Sequence, residues 1–228
     1  MGAKTWILAG AMLAASAGVA EAREWEANGG YALHVLRSPG LDAAATSDTI
    51  SFGELGVGVE LLRDLPLVDR LVVEAAWQEG STSATDFDLY DASMTFDQVE
   101  LGVRAVRLLV PHVRLFAHAR VGGVRGALSI QGLGGSGGGL SDSDWAASGY
   151  AGAGVDLTAY QQKPEDPHPD FGFGLRLELG YQVTGQMAFA GHTAAPDAPG
   201  APLETTAAGL GDLDESGMVV RIAAFGRW

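Results

Sequence analysis

The chain has 228 residues, with 33 glycines, no cysteine, and 28 acidic against 14 basic residues, for a formal net charge of −14. That length suits one domain or one mid-sized β-barrel and leaves no room for a separate cofactor module. Without cysteine there is no disulfide, thiolate metal site or thiol nucleophile, and the acidic balance argues against a nucleic-acid partner.

Lys4 precedes an uncharged run from Trp6 to Ala20, which ends in Ala20-Glu21-Ala22, the small-x-small pattern that signal peptidases cut. At ~1.5 Å per residue the run covers about 22 Å, too short for a hydrocarbon core ~30 Å thick. Residues 1–22 are therefore expected to be a cleaved export signal and 23–228 the mature domain. The signal removes Lys4 and Glu21 together, so the charge stays at −14. No later stretch is long and apolar enough for a spanning helix.

Segments of period two follow, the signature of a strand whose successive side chains point to opposite faces. Tyr31, Leu33 and Val35 mark the first. Leu55, Val57, Val59 and Leu61 oppose Glu54, Gly56, Gly58 and Glu60; Leu71, Val73, Ala75 and Trp77 oppose Glu74 and Gln78. Val99, Leu101, Val103 and Ala105 oppose Glu100, Gly102 and Arg104. After a Val110-Pro111-His112 turn, Leu115, Ala117, Ala119 and Val121 oppose Arg114, His118, Arg120 and Gly122. Ala151, Ala153, Val155 and Leu157 give the sixth segment. The seventh alternates strictly from Phe171 to Val183, and Val220, Ile222 and Ala224 give the eighth. Each exceeds the 9–11 residues that cross a bilayer at a tilt. The connections alternate too: 63–70, 109–112 and 161–170 are short or proline-rich, whereas 38–49, 81–93, 131–144 and 185–216 are longer. Short turns on one side and long loops on the other are the habit of outer-membrane barrels.

A soluble lipocalin-like barrel that binds a ligand would show the same alternation with the faces reversed. Three features favour lipid outside. The mature chain has a single lysine, Lys163, in a turn. The polar face carries many glycines and nearly balanced charge, with Glu26, Glu60, Glu74, Glu100, Asp156 and Glu178 against Arg104, Arg114, Arg120, Arg176 and Arg221. A closed interior needs that balance, because an unpaired buried charge is costly, and eight strands leave room for little more than side chains. His118, between Arg114 and Arg120, joins the same interior network. Aromatics collect near segment ends at Trp25, Trp77, Trp145, Phe171, Phe173 and Trp228, where membrane interfaces would lie. The expected fold is all-β, an eight-stranded antiparallel up-and-down transmembrane barrel with a plugged polar lumen.

The exported start, the segment Gly149-Tyr150-Ala151-Gly152-Ala153-Gly154-Val155-Asp156 and the close from Gly217 to Trp228 resemble the small eight-stranded outer-membrane proteins of the OmpA/OmpX type, over essentially all of residues 23–228. The resemblance implies a bacterial outer-membrane location and contact with its lipid and lipopolysaccharide. It also implies insertion by the barrel-assembly machinery, which reads a closing aromatic with alternating apolar residues, here Val220, Ile222 and Trp228. Trp228 stands where Phe is commoner, and Gly226 where an aromatic is often found. An OmpA-type peptidoglycan-binding domain is not expected after Trp228.

Few motifs carry chemistry. Gly132-x-Gly134-x-x-Gly137 matches a dinucleotide fingerprint in letters only, since it runs into another alternating strand instead of opening a helix. Asp86, Asp88 and Asp91, then Asp142 and Asp144, then Asp212, Asp214 and Glu215 bring carboxylates close enough to hold Ca²⁺ or Mg²⁺ weakly, without a full calcium-loop spacing. Outward Arg37 and Arg125 near the outer strand ends are candidates for lipopolysaccharide phosphate, which a guanidinium pairs in a bidentate way. A barrel enzyme acting on lipid at the rim would need Ser and His together. Among His34, His112, His118, His168 and His192 the nearest approach is His192-Thr193 in a loop. The expectation is a structural or surface-interaction protein without cofactor or catalysis, its acidic loops facing outward and its external partner open. A rim-acting lipid-modifying barrel is the alternative.

Overall fold

The computed structural model describes residues 24–36, 48–86, 90–132, 140–162, 171–189 and 212–228. The period-two segments form strands β1 (Trp25–Leu36), β2 (Thr49–Arg63), β3 (Arg70–Asp86), β4 (Tyr90–Val110), β5 (Val113–Gly132), β6 (Leu140–Gln161) and β7 (Gly172–Thr184). Two short strands follow, β8 (Met187–Ala188) and β9 (Asp212–Leu213), and then β10 (Gly217–Arg227). The eight long strands close into a barrel in the order β1-β10-β7-β6-β5-β4-β3-β2, each antiparallel to its neighbours, while β8 and β9 pair only with each other. Trp25 and Trp228 exchange backbone hydrogen bonds of 2.8 and 2.9 Å, so the two ends of the barrel sequence lock together at one rim.

The register sets the shape. Paired residues followed once around the wall lead from Glu26 through Gly58, Glu74, Gly102, Arg120, Tyr150, Gln182 and Gly217 to Leu36, a stagger of ten residues on β1. With a rise of ~3.3 Å per residue and strands ~4.8 Å apart, that stagger implies a tilt of about 41° and a radius of about 8 Å. Register shifts at Glu60/Leu62, Leu108/Val110 and Thr158/Tyr160 all fall at the rim of short turns, where bulges bend strands into tight connections. Asp64 and His112 take positive φ there, 54° and 72°.

Two expected loops are strand wherever they are described. Instead of loops over 81–93 and 131–144, β3 runs to Asp86 and β4 starts at Tyr90, while β5 runs to Gly132 and β6 starts at Leu140. These extensions are rich in Ser, Thr, Ala and Asp, so they lack an apolar face to read. Backbone pairing above the lipid needs none. On the loop side β3 to β6 therefore stand about 15 Å above the rest of the wall, given ~2.5 Å of axial rise per tilted residue.

The barrel is inside out relative to a soluble one. Outward Val121 and Leu55 are 68% and 58% exposed, whereas Arg104 and Glu100 are 1% exposed. Between Trp228 and Tyr181 the outward face is apolar over about 25 Å, the height of the lipid-facing band of outer-membrane barrels.

Several inward glycines make this possible by giving their space to a large side chain of a neighbouring strand. A Cβ on Gly154 would lie 2.5 Å from the Phe116 ring, one on Gly174 2.8 Å from Phe225, and one on Gly180 2.2 Å from the Tyr150 hydroxyl.

Candidate functional site

Side chains meet across the interior in layers. At the rim of short turns Glu24 pairs with Arg70 and, at 3.6 Å, with Arg227, while Glu60 pairs with Arg63. A cavity of about 10 Å³ lies just inside, lined in part by Glu60, Arg70 and Arg114. Arg114 is half-buried there and enters none of the ion pairs among the described residues.

Next comes the densest layer. Arg104 donates to Glu26 at 2.6 Å, to Asp156 at 3.0 Å and to Glu74. Arg176 donates to the same Glu26 oxygen at 2.6 Å and to Asp156 at 2.7 and 3.0 Å. The two guanidiniums lie 5.5 and 5.2 Å from the Phe116 ring centre, and Arg176 is also 5.4 Å from that of Phe225. His118 lies 3.0 Å from Glu178 through Nδ1, and with that nitrogen donating, Nε2 accepts from Arg120 at 2.9 Å.

Above it Arg120 reaches Glu54 at 3.0 Å and Glu100 at 3.6 Å. Arg221 reaches Glu54 at 3.0 Å and Glu178 at 3.5 Å, its guanidinium stacked 3.8 Å over Tyr150. The charged layers end in amides: Gln98 and Gln78 donate to Glu100 at 2.8 and 3.2 Å, and Gln182 donates to Gln98 at 3.3 Å. Every interior residue singled out from the sequence except Arg114 takes part. Glu24, Glu54, Arg63, Arg70 and Arg227 were not singled out, although strand parity already placed Glu54, Arg70 and Arg227 on the polar face. With them and Arg114, eight carboxylates face eight guanidiniums.

The upper third of the interior is mostly apolar, with the fully buried His34 ring set 4.2 Å from that of Phe52. Leu36, Ile50, Phe52, Met94, Phe96, Val124, Leu128 and Val219 come from the wall, and Met187 and Phe189 come from the segment after β7 that folds back into the mouth. Parity continued toward the loop side already puts Phe52, Phe96, Val124 and Leu128 on the inward face, beyond the residues whose alternation marked the strands.

The remaining candidates are more scattered. Arg125 faces outward, 4.0 Å from Asp97 and 3.2 Å from the Ser143 hydroxyl, with Trp145 opposite it on β6. Arg37, Asp88 and residues 1–23 lie outside the described residues, as do the side chains of Asp86 and Asp212. Asp142 accepts from the Ser143 amide at 2.7 Å. Asp144 accepts from the Ala188 amide at 2.8 Å, a bond that holds its carboxyl below the usual range. Asp214 accepts from Thr184 at 2.9 Å and from the Ser216 amide at 2.6 Å. Among the described residues no group of three acidic or histidine side chains gathers as a metal site. Val220, Ile222 and Trp228 all face outward.

Glu215 is unusual. It lies before β10 on the loop side, 1% exposed, and both carboxylate oxygens lack a hydrogen-bond partner among the described residues. Burial, with Asp214 adding to it, pushes its carboxyl up to about 8. The closed mouth thus holds a proton that an exposed carboxyl gives up near pH 4.5. Opening releases that proton between the two values, so closure weakens as pH rises from about 4.5 to 8 and then levels off. Relative to the intrinsic rate at each pH, amide exchange at Gly185 and Ala188 should accelerate over that range in the native protein and stay flat in Glu215→Gln. Identical profiles would refute this linkage.

A ring of charges inside and aliphatic side chains outside is stable only where hydrocarbon replaces water around the wall. The chain is an eight-stranded transmembrane β-barrel.

No protein-family model matches the sequence, and no curated protein matches it. Among solved structures it is similar to Ail, the attachment invasion locus protein of Yersinia pestis (14% identity, 91% of this chain and 100% of that one, TM-score 0.48). It is also similar to Neisserial surface protein A (11%, 90% and 95%, 0.42) and to the β domain of the Bordetella autotransporter BrkA (9%, 91% and 99%, 0.41).

Proposed function

We propose that the chain is a bacterial outer-membrane barrel whose interior is closed to solutes and whose acidic loop side serves surface interaction, without a catalytic role. The observation that supports this reading is the match of eight carboxylates to eight guanidiniums inside a wall about 8 Å in radius, a width that side chains can fill. Planar-bilayer recordings should give no stable large conductance, and a reproducible open channel would overturn the closed-lumen reading.

On this reading residues 1–22 are a signal removed on export, and Val220, Ile222 and Trp228 present the outward apolar stripe that the assembly machinery reads. Arg125, beside Trp145 at the edge of the apolar band, pairs with Asp97 and still has donors for a lipopolysaccharide phosphate. Co-purified lipopolysaccharide should fall in Arg37→Ala/Arg125→Ala, and an unchanged amount would remove that role. The loop side concentrates acids, including Asp86, Asp91, Asp142, Asp144 and Asp214. It therefore attracts divalent cations or a basic partner, with a strength that fades as salt shortens the Debye length from about 10 Å at 0.1 M to about 3 Å at 1 M.

A further inference from the structure

We propose that the apolar upper third of the barrel is a binding chamber for a single unbranched alkyl chain, and that Met187 and Phe189 fill it as a built-in substitute ligand. The chamber has a floor, the amide layer of Gln78, Gln98 and Gln182, and a wall of aliphatic and aromatic side chains joined by the buried His34 ring. The mouth of a β-barrel is a usual place for an apolar ligand. What fills it here does not come from the barrel strands. Met187, fully buried, and Phe189 sit on the segment after β7, outside the cylinder's own hydrogen-bond ladder.

Their seat is built for them. Gly126 faces inward between Val124 and Leu128, and a Cβ there would lie 2.9 Å from the Met187 sulfur and 3.1 Å from the Phe189 ring. A glycine at that place makes room for an occupant without itself contributing a contact.

The segment that carries them is tied to its surroundings through its backbone. Ala188 donates to Asp144 at 2.8 Å, Gly185 to the Ala147 carbonyl at 2.8 Å, and β8 pairs with β9 over two residues. Closure also leaves Glu215 buried without a hydrogen-bond partner among the described residues, which hydration on opening relieves. Truncating Met187 and Phe189 frees roughly 150 Å³, a size at which an apolar cavity stays dry and binds a small apolar ligand. An unbranched chain fits best, because Met187, the deeper occupant, is itself an unbranched thioether. The inference needs the transmembrane barrel but not the absence of conductance, so the two can fail separately.

The methionines supply the test. The mature chain has three, Met94 and Met187 in the chamber and Met218 facing lipid. The barrel is labelled with ¹³C-methyl methionine, placed in lipid nanodiscs and titrated with hexan-1-ol. Met94 and Met187 should shift saturably in the native protein, whereas Met218 should shift linearly as the alcohol partitions into the bilayer. In Met187→Ala/Phe189→Ala the half-saturation concentration read at Met94 should fall at least tenfold, and Met187→Ala alone should lower it less. If Met94 follows the linear course of Met218 in the native protein and in Met187→Ala, the chamber does not bind alkyl chains. If truncation leaves the half-saturation concentration unchanged, the two side chains are not its substitute ligand.

Discussion

Arg104→Ala should lower the unfolding free energy by about 3–5 kcal/mol, the cost of breaking a buried pair and leaving its partners charged. Among the described residues Arg104 is the side chain that hydrogen-bonds all of Glu26, Glu74 and Asp156, which come from β1, β3 and β6. Arg176 already serves Glu26 and Asp156 and approaches Glu74 only at 3.8 Å, so it cannot take over all three. Urea unfolding followed by heat-modifiable gel mobility reads the loss. Arg104→Met/Glu74→Gln should recover much of it, because replacing both partners removes the orphaned charge. A loss under about 1 kcal/mol would mean that water reaches this layer and screens it.

Gly180→Val should be nearly as costly, about 3 kcal/mol or more, with a low folded yield. The new Cβ would lie 2.2 Å from the Tyr150 hydroxyl oxygen and 2.6 Å from the Ala151 carbonyl, so side chain and backbone both have to yield. Tyr150 cannot simply turn away, because Arg221 is stacked on its ring. Gly180→Val/Tyr150→Ala should therefore regain part of the loss, leaving the share due to the carbonyl. Strict additivity of the two single costs would show that the glycine makes no room for the tyrosine.

The sequence made the cylinder legible because the lipid-facing residues obey one rule without exception. From Leu175 to Val183 every second side chain must be apolar, and a strand that breaks the rule leaves the membrane. The interior answers to its own neighbours instead. Parity assigns Glu54 and Arg120 to the same face, but only the register, Gly102 against Arg120 and Gly80 against Phe52, shows which of them touch. Strand ends above the lipid were hidden, since Ser81-Thr82-Ser83 on β3 has no apolar partner face and reads as loop. The Met187 segment was hidden for another reason: its two apolar residues are too few to show any period, and their seat is a glycine on a distant strand.

Glu26 and Arg176 are separated by 150 residues, yet they share a hydrogen bond at 2.6 Å, and Glu26 and Arg104 by 78. These contacts form only when β1 meets β10. Until then a growing sheet presents one apolar face to lipid and one charged face to an open trough, so no early strand pair buries its carboxylates profitably. Assembly has little use for a half-closed ring, and the last seam carries most of the reward. The expected kinetic result is a steep, single transition in which early hairpins such as β4 and β5 form cheaply but gain permanence only at closure, with substitutions at Glu26 speeding unfolding far more than they slow folding.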